Sequence, residues 1–292
     1  MYKQLCDETK VYYNEPMKKH TTFKIGGPAE VFIVPANVDE IRNVLKNYDN
    51  VMVIGNGSNL LVNDDGIKGV VLSLANCLKD ARVEDNYIEV GAGMSLNNLA
   101  RVAQENGLTG FEWAYGIPGT VGGAVTMNAG AYGGQMSDVL VETEYINEKN
   151  EIVTINKDEH NFGYRKSIFN TTNKLTKVIT KCRIKLDFAD KEDILKLMNE
   201  NMDKRKTKQP LEYPSAGSVF KRPEGYFAGQ LIQEAGLKGF RIGDAAVSEK
   251  HAGFIINLGN ATADDVKKLI AEIQERIYQK NNVRLETEIK MI

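Results

Sequence analysis

The sequence predicts an α+β fold. Segments with strand-like alternation recur from residue 31 to the end of the chain, and two pairs of them are separated by short turns. One pair is "ARVEDNYIEVGAG", turning at Asp85-Asn86, and the other is "VLVETEYINEKNEIVTI" (139–155). Such pairs are antiparallel hairpins. Stretches with helical spacing lie between the strands. A purely parallel sheet has no place for local hairpins, so mixed strands and helices fit better.

In chain order, "VFIVP" (31–35) is expected to be a strand. A helix follows, with Asn37 as its cap, Glu40 completing a capping-box pattern, and Ile41, Val44, Leu45 and Tyr48 on one face. "VMVIG" (51–55) and "GVVLSL" (69–74) are strands. Ser95 caps a short helix that turns Leu99, Val102 and Ala103 inward and stops at Asn106-Gly107. "KVITKCRIKLDF" (177–188) is a strand. Near residue 190 the composition changes, and "DKEDILKLMNENMDKRK" (190–206) has helical spacing into a second lobe. That lobe holds "AGSVF", "YFAGQLIQEAGLKG" and the strand "AGFIINLG". It also holds a helix from Thr262 with Val266, Leu269, Ile270, Ile273 and Ile277 on one face. "RLETEIKMI" closes the chain as a strand, with Glu286, Glu288 and Lys290 on the face opposite Leu285, Thr287, Ile289 and Met291.

The 292 residues exceed what one core usually serves, so two or three domains are expected. At 42% hydrophobic and 26% charged the composition is that of an ordinary globular protein. A formal net charge of −2 demands no polyanion, and the short basic run "KRKTK" (204–208) is a solvated helix end, so no nucleic-acid partner is expected. No apolar stretch reaches the length of a membrane span and the opening residues have no apolar targeting core, so neither a membrane segment nor a leader is expected. Cys6, Cys77 and Cys182 have no metal or disulfide spacing, which fits a reducing, cytoplasmic setting.

Two glycine-rich stretches stand out. In "VMVIGNGSNLLV" the Gly55-x-Gly57 pair lacks the third glycine and the helix of a dinucleotide fingerprint, since position 60 is leucine. It is either a backbone nest whose amides from Asn56 to Asn59 face an anion, or a plain hairpin. The second, "GIPGTVGGAVTMNAGAYGG" (116–134), carries seven glycines in nineteen positions, interleaved with Ile117, Val121, Val125 and Met127. A flexible linker would be polar. Glycine mixed with apolar residues indicates backbone packed against an extended ligand, or a close-packed structural turn. His20, His160 and His251 make no metal spacing and are expected to be structural or at the surface. Taken singly, Ser218, Arg165 and Glu288 are indistinguishable from ordinary surface residues.

A set of motifs in fixed order separates them. "TTFKIGGPA" (21–29), "GNGSNLLV" (55–62), the second glycine-rich stretch, "YRKSIF" (164–169), "PSAGSVFKRP" (214–223), "AGQLIQEAGLKGFRIGDAAVSEKHAGFIIN" (228–257) and "LETEI" (285–289) closely resemble the UDP-N-acetylenolpyruvoylglucosamine reductase (MurB) family, nearly end to end. The short substrate lobe is similar to the compact subclass without an extra tyrosine loop. The resemblance implies an FAD-binding fold of the vanillyl-alcohol-oxidase (PCMH) type in two subdomains, residues 1–75 and 76–190, plus a C-terminal α+β substrate domain, residues 191–292. It implies non-covalent FAD held at Asn56, Gly57, Ser58, Asn59, Pro118, Gly119, Thr120, Gly122, Gly123 and Gly130, and no metal. Ser218 matches the family's proton donor. Arg165 and Glu288 match the pair acting at the substrate carboxylate, and Tyr132 matches a substrate contact. Arg222, in "FKRP", stands where many relatives carry a substrate-contacting asparagine.

The implied reaction is NADPH-dependent reduction of UDP-N-acetylglucosamine enolpyruvate to UDP-N-acetylmuramate through FAD, a step of peptidoglycan precursor synthesis. The cofactor carries the redox chemistry and the protein supplies position and field. Two other readings accommodate the glycine loops: a different FAD-dependent oxidase or dehydrogenase on the same scaffold, and a non-enzymatic nucleotide-sugar binding module.

Overall fold

The computed structural model describes residues 9–170 and 177–292. The chain divides into two compact units. The first takes the described residues up to Tyr13, then Val31–Asn56 and Gly69–Asp203; the second takes Asn14–Glu30, Gly57–Lys68 and Lys204–Ile292.

The first unit holds most of one larger sheet and the whole of another. One has four strands in the order Lys10–Pro16, Pro28–Val34, Ile67–Ser73, Val51–Ile54. Its last pair is parallel, with Val51 opposite Val70. The Val38–Asn47 helix covers this sheet, burying Ile41 and Val44 against Val31, Ile33, Val70 and Leu72. Asn37 caps the helix as expected, accepting from the Glu40 amide at 3.0 Å, but the reciprocal half of the capping box is not made and Glu40 Oε2 is buried without a partner.

The other sheet is fully antiparallel, in the order Ile152–Asn156, Leu140–Ile146, Val178–Lys185, Tyr87–Gly91, Ala81–Glu84. Both expected hairpins lie in it. Glu84 pairs with Tyr87 across Asp85-Asn86, and Asp85 takes a φ of 56°. The Leu96–Glu105 helix packs on it, with Ser95 accepting from Asn98 N at 3.1 Å. Its Leu99 and Ala103 join Ile88, Val90, Ile184, Trp113, Val121 and Val125 in the core. Cys77 and Cys182 are buried thiols, and burial pushes Cys182 up to about 12. Cys6 lies outside the described residues.

The second unit is built on an antiparallel sheet in the order Ser215–Ser218, Phe254–Asn257, Ala245–Val247, Arg241–Ile242. The Ala263–Asn281 helix buries the stripe read from the sequence, Val266, Leu269, Ile270, Ile273 and Ile277. Each such side chain contributes about 1.5–3 kcal/mol. The same core takes in Phe23, Ile25 and Leu61. Buried Asn257 fastens one of these remote segments: its Nδ2 donates to Phe23 O at 3.2 Å while its Oδ1 accepts from the amides of Gly259 and Ala261.

Two expectations change. The segment around Gly55-x-Gly57 is not a hairpin. Val51–Ile54 pairs with Ile67–Ser73, whereas Leu60–Leu61 pairs in parallel with Lys290–Met291. The closing "RLETEIKMI" is not one continuous strand either. Thr287 bridges Phe220, and the chain bends at Ile289 before Lys290–Met291. The expected facing holds only as far as Ile289: Leu285 and Ile289 are buried and Glu286 is exposed, but past the bend Met291 is exposed as well.

Asp64 supplies a second cap to the Ala263–Asn281 helix. Beyond the box made by Thr262 and Asp265, its carboxylate accepts from the amides of Ala263 at 2.8 Å and Asp264 at 3.0 Å. These are orphan donors at the positive end of the helix. Asp64→Ala should therefore cost about 1 kcal/mol and lower the melting temperature by about 2–4 °C. Asp64→Asn should fall between the two. A thermal melt of Asp64→Ala identical to the parent would show that the cap contributes nothing.

Candidate active site

In the first unit the glycine-rich stretch contains a helix, Val121–Met127, that the sequence reading missed. The signals were present. Thr120 is its N-cap, accepting from Gly123 N; Val121, Ala124 and Val125 bury at helical spacing; and Asn128 closes it in the left-handed region, φ 41°. The glycine count masked them. The helix start is sewn to the preceding segment, since Val121 N donates to Met94 O at 2.9 Å and Gly122 N to Ala92 O at 2.8 Å. Gly122 is bare because of this chain: a Cβ there would stand 3.0 Å from that of Ala92. A Cβ on Gly130 would likewise lie 2.7 Å from Gly134 O. Gly123 differs. It is exposed, and a Cβ there would have only Thr120 Oγ1 within 4 Å.

The Gly55-Asn56 turn abuts this segment. Asn56 Nδ2 donates to Pro118 O at 3.1 Å, and a side chain on Gly55 would overlap the Thr120 hydroxyl. Among the described residues, the amides of Asn56, Gly119 and Thr120 donate to no protein acceptor. Thr120 is only 2% exposed. Backbone donors left over at a buried residue call for an acceptor from outside the chain, and converging amides form an anion-binding nest. The donor set and the bare Gly123 fit the phosphate-bearing body of FAD.

Tyr132 and Arg165 share another corner of this unit. Tyr132 is at the tip of the hairpin joining Gly130–Ala131 to Gly134–Gln135, with φ 50° followed by Gly133 at 90°. Arg165, φ 55°, occupies the second central position of a tight turn closed by two 3.1 Å bonds between Gly163 and Lys166. Turns of this kind ordinarily give these positions to glycine or asparagine. Arg165 Nη2 donates to Gly130 O at 3.1 Å and Nη1 to Asn128 O at 3.5 Å. Buried Asn128 donates to Gly163 O at 3.1 Å and to Gln135 Oε1 at 3.3 Å, so it ties the Arg165 turn to the Tyr132 hairpin. Sequence reasoning missed Asn128 because its role is made by long-range bonds.

In the second unit Ser218 and Glu288 come together. Val219 is held on both sides: its amide donates to Gly253 O at 2.9 Å, and its carbonyl accepts from Glu288 N at 2.7 Å. Ser218 is exposed and Glu288 half-buried. Asn59 reaches the same segment, with Nδ2 donating to Glu288 O at 3.1 Å and its own carbonyl accepting from Lys290 N at 2.9 Å. Gly57, φ 60°, lies so close to His20 O that no side chain would fit; the amides of Gly57 and Ser58 donate to no acceptor among the described residues. Glu286 is engaged at the surface by Lys221 at 3.0 Å. Arg222 stacks on Phe227, its Cζ 4.0 Å from the ring centroid.

The histidines are structural, as expected. His160 is fully buried between Asn156 O and the Thr143 hydroxyl, and stacks on Phe162; burial pushes its pKa down. His251 accepts from Gly253 N, and burial lowers it too. His20 pairs with Glu15 at 3.0 Å. No described helix is long and apolar enough to cross a membrane.

The chain matches known proteins over nearly its whole length. Residues 29–156 match the family model described as FAD binding domain, and residues 209–292 match that of the UDP-N-acetylenolpyruvoylglucosamine reductase C-terminal domain. The reductase of Caldanaerobacter subterraneus subsp. tengcongensis is 49% identical across 99% of this chain and 96% of its own length. That of Alkaliphilus oremlandii is 46% identical, covering 97% and 93%. The crystal structure of UDP-N-acetylenolpyruvylglucosamine reductase from Thermus caldophilus superposes with a TM-score of 0.82 at 37% identity, covering 97% of this chain and 98% of that one. The architecture is thus the expected α+β FAD-binding fold with a C-terminal domain. Matched along nearly its whole length at close to half identity, the chain belongs to the UDP-N-acetylenolpyruvoylglucosamine reductase family of FAD-dependent oxidoreductases.

Proposed function

We propose that this enzyme reduces UDP-N-acetylglucosamine enolpyruvate to UDP-N-acetylmuramate at the expense of NADPH, in the synthesis of peptidoglycan precursors. The observation that carries the reading is the juxtaposition of Ser218 and Glu288, residues 70 positions apart that are joined through one backbone bond at Val219. Both nucleotide reactants are cytoplasmic metabolites, so the cytoplasm is its place of work. The three-segment division 1–75, 76–190 and 191–292 belongs to the same proposal.

FAD, when bound, would supply the hydride-transfer chemistry that links NADPH to the enolpyruvyl double bond. The residues that hold it without a covalent link are Asn56, Gly57, Ser58, Asn59, Pro118, Gly119, Thr120, Gly122, Gly123 and Gly130. Those of 56–58 and 119–120 act through main-chain amides; Gly122 and Gly130 act by allowing the close internal contacts that shape the loop. Addition of hydride leaves negative charge on the neighbouring carbon and its carboxylate. Arg165 stabilises that charge, as a fixed cation at a developing anion does. Glu288 completes the carboxylate site, and Tyr132 touches substrate beside Arg165. The Ser218 hydroxyl gives its proton to the carbanionic carbon, which completes the addition of H⁻ and H⁺ across the double bond. A serine is a weak acid, and an enolate carbon is basic enough to take its proton.

Three measurements test this. Gly123→Val should fold yet lose flavin, whereas Gly122→Val is uninformative because Ala92 already fills the space. Full flavin occupancy in Gly123→Val would count against the loop assignment, and yellow colour that stays with the denatured chain would overturn non-covalent binding. Ser218→Ala should be reduced by NADPH at the parent rate but reoxidised by the enolpyruvyl substrate about 10²-fold more slowly or worse. Stopped-flow absorbance reads both halves, and unchanged reoxidation removes Ser218 from the mechanism. Glu288→Gln should behave like Ser218→Ala, melting within a few degrees of the parent because such a swap costs about 0.5 kcal/mol or less. Glu286→Gln, which breaks only the surface pair with Lys221, should remain near parental; equal damage in both would sink the assignment of Glu288.

A further inference from the structure

The exposure of Ser218 contradicts simple strand alternation. Ala216 and Ser218 are two residues apart in the Ser215–Ser218 strand, and in a regular strand they would share a face. Instead Ala216 is 3% exposed in the core, while Ser218 is open to solvent. The register explains it. Ser215 stands opposite Ile256 and Ser218 opposite Phe254, so three steps on one strand match two on the other. One extra residue is inserted, and a one-residue slip turns a side chain to the opposite face. Gly217 lies within the inserted turn at φ 77°.

We propose that Gly217 is the positioning residue for Ser218. Its left-handed backbone makes the β-bulge that turns the serine hydroxyl out of the core. The inference rests on the reading of Ser218 as proton donor. It concerns backbone conformation and not space, because a Cβ built on Gly217 meets nothing within 4 Å. Bulges with a left-handed glycine recur beside active sites, where they re-aim a side chain. The residues after the bulge are held: Val219 N on Gly253 O, Val219 O under Glu288 N, and Phe220 bridged to Thr287. A bulge lost at Gly217 would be absorbed by Ser218, the last residue before this fixed pairing.

The backbone demand predicts an order of substitutions that a space demand does not. Asparagine tolerates the left-handed region and valine does not. Geometry is read by thiol alkylation in the full chain carrying Cys6→Ser and Ser218→Cys, where Cys77 and Cys182 are buried. Adding Gly217→Val should slow alkylation of the introduced thiol about tenfold or more, and adding Gly217→Asn should leave it nearly unchanged. In the chain with Ser218 intact, Gly217→Val should keep its flavin and its reduction by NADPH but slow reoxidation by the enolpyruvyl substrate about tenfold; Gly217→Asn should restore it. Should the valine variant not fold, Gly217→Ala takes its place, with the same order against asparagine. Equal labelling and equal reoxidation across the series overturn the proposal, as does a loss as large with asparagine as with valine. Normal turnover of Ser218→Ala would instead remove the proton-donor reading and leave the labelling order to stand by itself.

Discussion

The second unit depends on the pairing made by its last segment. Residues 286–292 bond on two sides at once. On one side Lys221 N donates to Glu286 O and Glu288 N to Val219 O. On the other, Lys290 N donates to Asn59 O, Ile292 N to Leu61 O, and Asn63 N to Ile292 O, all between 2.7 and 3.0 Å. Main-chain bonds fix direction and register, which side-chain contacts alone do not. The Asn59 loop and the Ser218 strand are therefore placed by one short ribbon lying between them. Glu288 is bonded to both neighbours, its amide donating to Val219 O and its carbonyl accepting from the Asn59 side chain.

The first unit uses a different device. Tyr132, Arg165 and Asn128 all have positive φ, a conformation that costs side-chain-bearing residues about 1–3 kcal/mol each. Glycine would remove the penalty at Tyr132 and Arg165, so the cost marks side chains kept for what they reach. Arg165 reaches back to Gly130 O, at the base of the hairpin that carries Tyr132. The arginine thus ties its own turn to the base of the Tyr132 hairpin.

How much of this could be read from the sequence followed from range. Elements defined by neighbours in the chain were legible: the cap at Ser95, the Asp85-Asn86 turn, and the five apolar positions of the Ala263–Asn281 helix. What failed depended on distant partners. The Leu60–Leu61 strand looked like half of a hairpin because nothing local shows that its neighbour is Lys290–Met291. The Val121–Met127 helix was hidden because glycine disfavours helix, and its compensation lies in the carbonyls of Ala92 and Met94. Ser218, Arg165 and Glu288 carry no local signal at all; only the order of whole motifs singled them out. Alternation along "SAGS" would have placed Ser218 with Ala216 in the core, and the bulge that prevents this is a feature of register.

The second unit is assembled from three separated stretches, and its core mixes Phe23, Ile25 and Leu61 with the apolar face of the Ala263–Asn281 helix. The region from 209 onward, though it matches a family model by itself, is not a cassette. Recombination that carried it alone into another protein would leave gaps where those three side chains belong and would strand Asn257 without the Phe23 carbonyl. Evolution can vary its loops freely, but it has to inherit the segments near residues 20 and 60 together with it.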